Sequence, residues 1–144
     1  MAETQTYANH ARIVPLFHYF VLPMFLINLI WAIVEAVRFP ATGTIITALT
    51  ALALILLALL ARNFALTVQN RVIRLEMRLR LREQLPPDLQ PAIAGLTLDQ
   101  LVALRFASDG ELVDLVRATV RDRLVTRKAI KQMVKDWQGD HLRV

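Results

Sequence analysis

Two long runs without a charged side chain, residues 14–34 and 44–61, decide most of what this chain can fold into. The first, VPLFHYFVLPMFLINLIWAIV, holds 21 residues with no carboxylate, Lys or Arg. At 1.5 Å per residue, a helix of that length crosses a hydrocarbon core of roughly 30 Å. The second, TIITALTALALILLALLA, holds 18 residues with only Thr as polar content. Between them Glu35, Arg38, Pro40 and Gly43 bring charge and helix breakers together, which predicts a tight turn. Two spans joined by so short a turn pack antiparallel and leave both chain ends on one side. The first run is long for a leader, lacks a basic cluster hard against it, and is followed directly by a second span, so it reads as a membrane helix.

The first run has polar and conformational weak points. Pro15 fits a first helical turn, whereas Pro23 is expected to kink the helix or to need compensation from a neighbour. Asn28 lies deepest and is expected to hydrogen-bond another helix, an interaction worth ~0.6–2 kcal/mol in membranes. His18 sits beside Phe17, Tyr19 and Phe20, a cluster suited to anchoring a helix at headgroup depth or to a contact between helices. A ring nitrogen there has the chemistry to ligate a haem or a chlorophyll-type magnesium, but anchoring is the plainer reading and no cofactor is expected.

Charge is as uneven as hydropathy. Of 17 Lys and Arg only Arg12 and Arg38 precede Arg62, leaving 15 from Arg62 onward against 10 of the 12 acids. Mean hydropathy is +0.44, with the apolar excess concentrated before residue 62. Arg62, Arg71, Arg74, Arg78, Arg80 and Arg82 follow the second span while the turn offers only Arg38, so both termini are predicted to be cytoplasmic. The absence of cysteine removes disulfides, thiolate nucleophiles and Cys-ligated metals from consideration for this chain.

Nothing between Thr44 and Leu85 breaks a helix, so the second span is predicted to run on past the membrane surface. Along that extension Phe64, Val68, Val72, Leu75 and Leu79 recur at spacings of 4, 4, 3 and 4, an apolar stripe that needs a partner. Arg71, Arg74, Arg78 and Arg82 form a basic row suited to anionic lipid or an acidic partner, and Glu76 is placed to pair with Arg80. Pro86-Pro87 ends the helix, and Pro91 with Gly95 keeps the following stretch short. Thr97 with Gln100 and Ser108 with Glu111 read as capping boxes, and Thr126 starts a third helix that carries Ile130, Met133, Val134 and Trp137 up to Gly139.

The expected architecture is therefore all-α: a cytoplasmic tail (1–13), a two-helix transmembrane hairpin (14–61), a helix extension (62–85) and a small cytoplasmic helical domain (86–144). Short helices alone make a marginal core, so that domain is expected to dock on the stripe from Phe64 to Leu79. A second copy, a foreign subunit or the membrane surface are the other occupants the stripe admits.

No catalytic or metal-binding constellation stands out. The histidines are His10, His18 and His141, and there is no HExxH, glycine-rich phosphate loop or Gly-x-Ser-x-Gly. The expectation is a non-enzymatic accessory subunit of a larger membrane complex, of the respiratory or photosynthetic kind by analogy. A homo-oligomer binding anionic lipid is the alternative. An interfacial enzyme acting on a lipid or quinone would depend on His18 or His10. Nucleic acid is not expected, because acids interleave the basic residues and aromatics are absent from the arginine surface.

Several separate blocks resemble a bacterial family of two-pass membrane proteins known only as a domain of unknown function. They are Asn9-His10 with Arg12, Phe17-His18-Tyr19-Phe20, Val68-Gln69-Asn70-Arg71, the run from Ile73 to Arg80, Leu104-Arg105-Phe106-Ala107-Ser108-Asp109, Ile130-Lys131 through Trp137, and Leu142-Arg143-Val144. The family pattern has an acidic residue where Asn70 and Gly110 stand. The resemblance implies a shared fold and a bacterial inner-membrane setting, and it implies no activity.

Overall fold

The computed structural model of the chain describes residues 13–139, so His10, Arg12 and His141 lie outside the described residues. The chain is all-α. A π-helical turn, Leu16–Val21, leads into α1 (Leu22–Arg38); then come α2 (Thr42–Gln84), a 3-10 turn (Gln90–Gly95), α3 (Leu98–Leu104), α4 (Asp109–Arg121) and α5 (Arg127–Met133). Among the described residues the only extended pairing is an isolated antiparallel bridge between Ala107 and Trp137.

The π-turn answers the problem of Pro23. Proline in a helix leaves a carbonyl one turn back without its donor. Here the backbone widens just before it: Leu22 N–H bonds the carbonyl of Phe17, five residues back, and Pro23 falls in the first turn of α1, where no N–H is required.

The first compact unit comprises residues 13–66. It contains two helices long and apolar enough to cross a membrane, and only 6% of either apolar window is buried within the chain. Ala32 and Ala51, each 2% exposed, mark where the hairpin closes, since small side chains let backbones approach. The threonines satisfy themselves: Thr47 and Thr50 hydroxyls donate to the carbonyls of Gly43 and Ile46 at 2.9 Å. Thr44 Oγ1 accepts from Ala41 N–H at 3.1 Å and closes the turn before α2.

α2 is one helix of 43 residues, unbroken from Ala61 through Thr67 as the lack of Gly and Pro predicts. Its end is capped from outside. Gln90 Nε2 donates to the carbonyls of Arg82 and Leu85 at 2.9 and 2.7 Å, two groups that a helix terminus leaves without partners.

The second unit comprises residues 67–139. Its core joins Ile73, Met77 and Leu81 of α2, and Leu85 just past its end, to Leu101, Leu104, Phe106, Leu112, Val116 and Ile130. The domain therefore docks on a different row of α2 from the one expected. Ile73, Met77, Leu81 and Leu85 are at most 5% exposed, whereas Phe64, Val68, Val72, Leu75 and Leu79 are 47–63% exposed. The physical reason is that α2 carries two apolar rows on opposite sides. The one with strict four-residue spacing runs up to Pro86, where the chain turns back.

Capping follows expectation at two of three helix starts. Thr97 and Gln100 form a reciprocal box, and Thr126 Oγ1 accepts from Ala129 N–H at 3.3 Å. Ser108 precedes α4 without a side-chain cap. Glu111 instead accepts from the N–H groups of Lys135 and Asp136 at 3.0 and 3.2 Å, where the chain leaves α5. α5 is also shorter than expected: it ends at Met133, and the segment beyond it pairs with residues 106–108. Ser108 N–H donates to Asp136 O at 3.1 Å and Gln138 N–H to Phe106 O at 2.7 Å, which seats the Trp137 ring 5.0 Å from that of Phe106.

Candidate functional site

α2 between Val68 and Glu83 presents the most distinctive surface among the described residues. At 3.6 residues per turn the exposed row Val68, Val72, Leu75 and Leu79 lies opposite the covered row Ile73, Met77, Leu81 and Leu85. Polar side chains flank the exposed row unequally. Arg71, Arg74 and Arg82 are exposed along one edge, with Arg78 half-buried among them; Glu76 and Glu83 are exposed along the other. None of these six residues makes an ion pair among the described residues. Arg78 Nε is buried without a hydrogen-bond partner, beside a groove of about 190 Å³ lined by Arg82, Gln90, Ile93 and Ala94.

The expected pairing of Glu76 with Arg80 does not form. Arg80 is drawn into the domain, where Nη2 reaches Asp109 Oδ1 at 2.6 Å, Ala107 O at 2.7 Å and Gln138 Oε1 at 3.2 Å, and Nε reaches Asp109 Oδ1 at 2.8 Å. A planar guanidinium suits several fixed acceptors at once better than one mobile carboxylate a turn away. Arg80 thus fastens both the turn before α4 and the C-terminal segment to α2. Sequence reasoning missed it because its partners, the Arg105 carbonyl among them, lie 25 to 58 residues away.

The two polar residues of the first span behave differently from each other. His18 lies in the π-turn with Nδ1 within hydrogen-bond distance of Val14 N and O, at 3.1 and 2.9 Å, so one ring nitrogen is engaged with its own backbone. The Phe17 ring meets the imidazole edge-on at 5.2 Å, and the Arg62 guanidinium lies 5.3 Å from the same phenyl centroid. Asn28 is exposed and finds no side-chain partner among the described residues. An apolar groove of about 250 Å³ lies between α1 and α2, lined by Leu29, Ile33, Ala36, Ile45, Ala48, Leu49 and Leu52.

A family model covers residues 1–144 end to end. The chain belongs to the family of unknown function DUF6526. No curated protein and no solved structure matches it. In this DUF6526 chain no group of three or more His, Asp or Glu side chains able to hold a metal occurs among the described residues. Hydrogen bonding to Arg121 holds the Asp122 carboxyl below the usual range, and both side chains are exposed. The arrangement of α2 has the chemistry of a binding surface: exposed apolar side chains in a row, edged by charges of both signs.

Proposed function

We propose that this chain is a non-enzymatic, membrane-anchored subunit of a larger protein assembly in the bacterial cytoplasmic membrane. The hairpin lies in the bilayer, and the helical domain and both termini lie in the cytoplasm. The observation that carries the reading is the apolar row on α2 that remains exposed after the chain's own domain has docked on the other side. Exposed apolar residues in a continuous row mark interaction surfaces. Asn28 adds support, since an amide in hydrocarbon is stabilised by a hydrogen bond from another helix and its own hairpin provides none. Exposure of nearly all of both apolar windows suits helices facing lipid, and the arginine excess beyond the second span supports the orientation.

The test is solubilisation of the native membrane in a mild detergent followed by mass measurement of the particle. A particle that contains other proteins besides this chain is expected, and a particle containing this chain alone, as a monomer or a homodimer, refutes the proposal.

A second reading rests on the exposed edge of Arg71, Arg74 and Arg82, which suits anionic headgroups. Binding to liposomes with anionic lipid, weakening steeply with salt, would favour it; equal binding to neutral liposomes would remove it.

A further inference from the structure

We infer that the exposed row of α2 is the seam of a parallel homodimer, with a second copy of this chain as its occupant. The inference deepens the membrane-subunit reading proposed above and rests on it.

Val68, Val72, Leu75 and Leu79 are spaced 4, 3 and 4, which is the d-a-d-a pattern of a heptad repeat. Val72 at a followed by Leu75 at d is the combination that favours two parallel strands, whereas Val68 at d and Leu79 at a reverse it, so the direction is read from the flanking charges. The opposite side of α2 is occupied by the domain core through Ile73, Met77 and Leu81, so the domain leaves the seam open.

The flanking charges select both the partner and its direction. With Val72 at a, Arg71 and Arg78 take g positions while Glu76 and Glu83 take e positions. In a parallel pair each g residue lies against the e residue five positions further along the other helix. Arg71 of one copy then faces Glu76 of the other, and Arg78 faces Glu83, twice over by symmetry. An antiparallel pair would set arginine against arginine and glutamate against glutamate. The pattern is thus complementary to itself only when both helices run the same way. Two copies inserted in one bilayer with the same orientation have no other choice.

The seam is short. Four core positions make two heptads, fewer than the three to four that mark a free-standing coiled coil. Anchoring in a common membrane makes up the difference, because a tethered pair associates at an effective concentration in the millimolar range rather than from dilute solution.

The chain has no cysteine, so single cysteines report contacts cleanly. In the full-length protein in its membrane, Val68→Cys, Val72→Cys, Leu75→Cys and Leu79→Cys should form disulfide dimers on mild oxidation several-fold faster than Arg74→Cys and Gln84→Cys, which lie off the seam. All six positions are exposed, so the fold tolerates them. R71E/R78E and E76R/E83R should each lose crosslinking through Leu75→Cys, and coexpression of the two should restore it as a mixed dimer.

Equal crosslinking at all six positions, or none, overturns the inference. Seam crosslinking without rescue in the mixed pair overturns the parallel register. A detergent particle that contains other proteins but shows no seam crosslinks defeats this inference and leaves the subunit reading standing, whereas a single-copy particle defeats both.

Discussion

Leu79 and Leu81 are two residues apart on one helix and offer a direct comparison of its two sides. Leu79 is 50% exposed and Leu81 fully buried. Leu81→Ala removes three carbon groups from the core, worth about 0.8 kcal/mol each in transfer free energy. The cavity left in the core that Leu81 shares with Leu101, Leu104 and Phe106 adds to this, for a total of about 3–4 kcal/mol. For a unit the size of residues 67–139 each kcal/mol corresponds to roughly 4–8 °C, so the domain's melting temperature should fall by roughly 12–30 °C. Leu79→Ala should change it by less than about 0.5 kcal/mol. The assay is thermal or urea unfolding in detergent, with protein dilute relative to micelles so that copies are kept apart. Trp137 fluorescence reports the domain once Trp31, 66% exposed in the hairpin, has been changed to Phe. Equal losses for the two variants, or a larger loss for Leu79→Ala, would refute the assignment of the covered row.

Three further outcomes follow from the same geometry. Arg80→Ala strips donors from the carbonyls of Ala107 and Arg105 and should cost about 2 kcal/mol in the same unfolding assay, while Asp109→Asn, at a carboxylate 56% exposed, should cost under ~1 kcal/mol. Glu111→Ala removes two charge-assisted bonds from the segment after α5; amide hydrogen exchange at Lys135 and Asp136 should speed up by roughly tenfold with global stability less affected. Asn28→Leu should leave the hairpin folded but weaken assembly by roughly 3- to 30-fold, read as the assembled fraction by mass measurement in detergent; an unchanged fraction would strike Asn28 from the interface.

Much of this fold can be read from local rules, because local forces set it. Charge-free length gives the two long helices, the absence of Gly and Pro gives the continuity of α2, and Thr97 and Thr126 give helix starts. What escaped was decided by competition between distant groups. Two apolar rows on α2 have the same helical period, and periodicity cannot say which of them the returning chain will cover. The adjacency of Leu85 to the Pro86-Pro87 turn was the available signal, since a chain folding back from that turn meets Ile73, Met77 and Leu81 in line with it. Glu111 had the spacing of a capping partner for Ser108, yet the N–H groups of Lys135 and Asp136 win it. Arg80 likewise prefers three fixed acceptors on the domain to Glu76 one turn away. At the candidate surface, the apolar stripe and its charged edges were readable as a pattern, but their exposure depended on where the domain went.

The order of synthesis gives the covered row of α2 a vulnerable interval. Leu81 is made well before Ile130 and Trp137, the residues that complete the core over it. At 5–20 residues per second, roughly 50 residues of further synthesis leave the core over that row incomplete for about 2–10 s. During that interval α2 carries apolar side chains on both sides, as an amphiphile open to chaperones, proteases and self-association. A nascent chain that stalls or terminates before α5 would keep that core unfinished, with Leu81 less fully covered than in the complete fold.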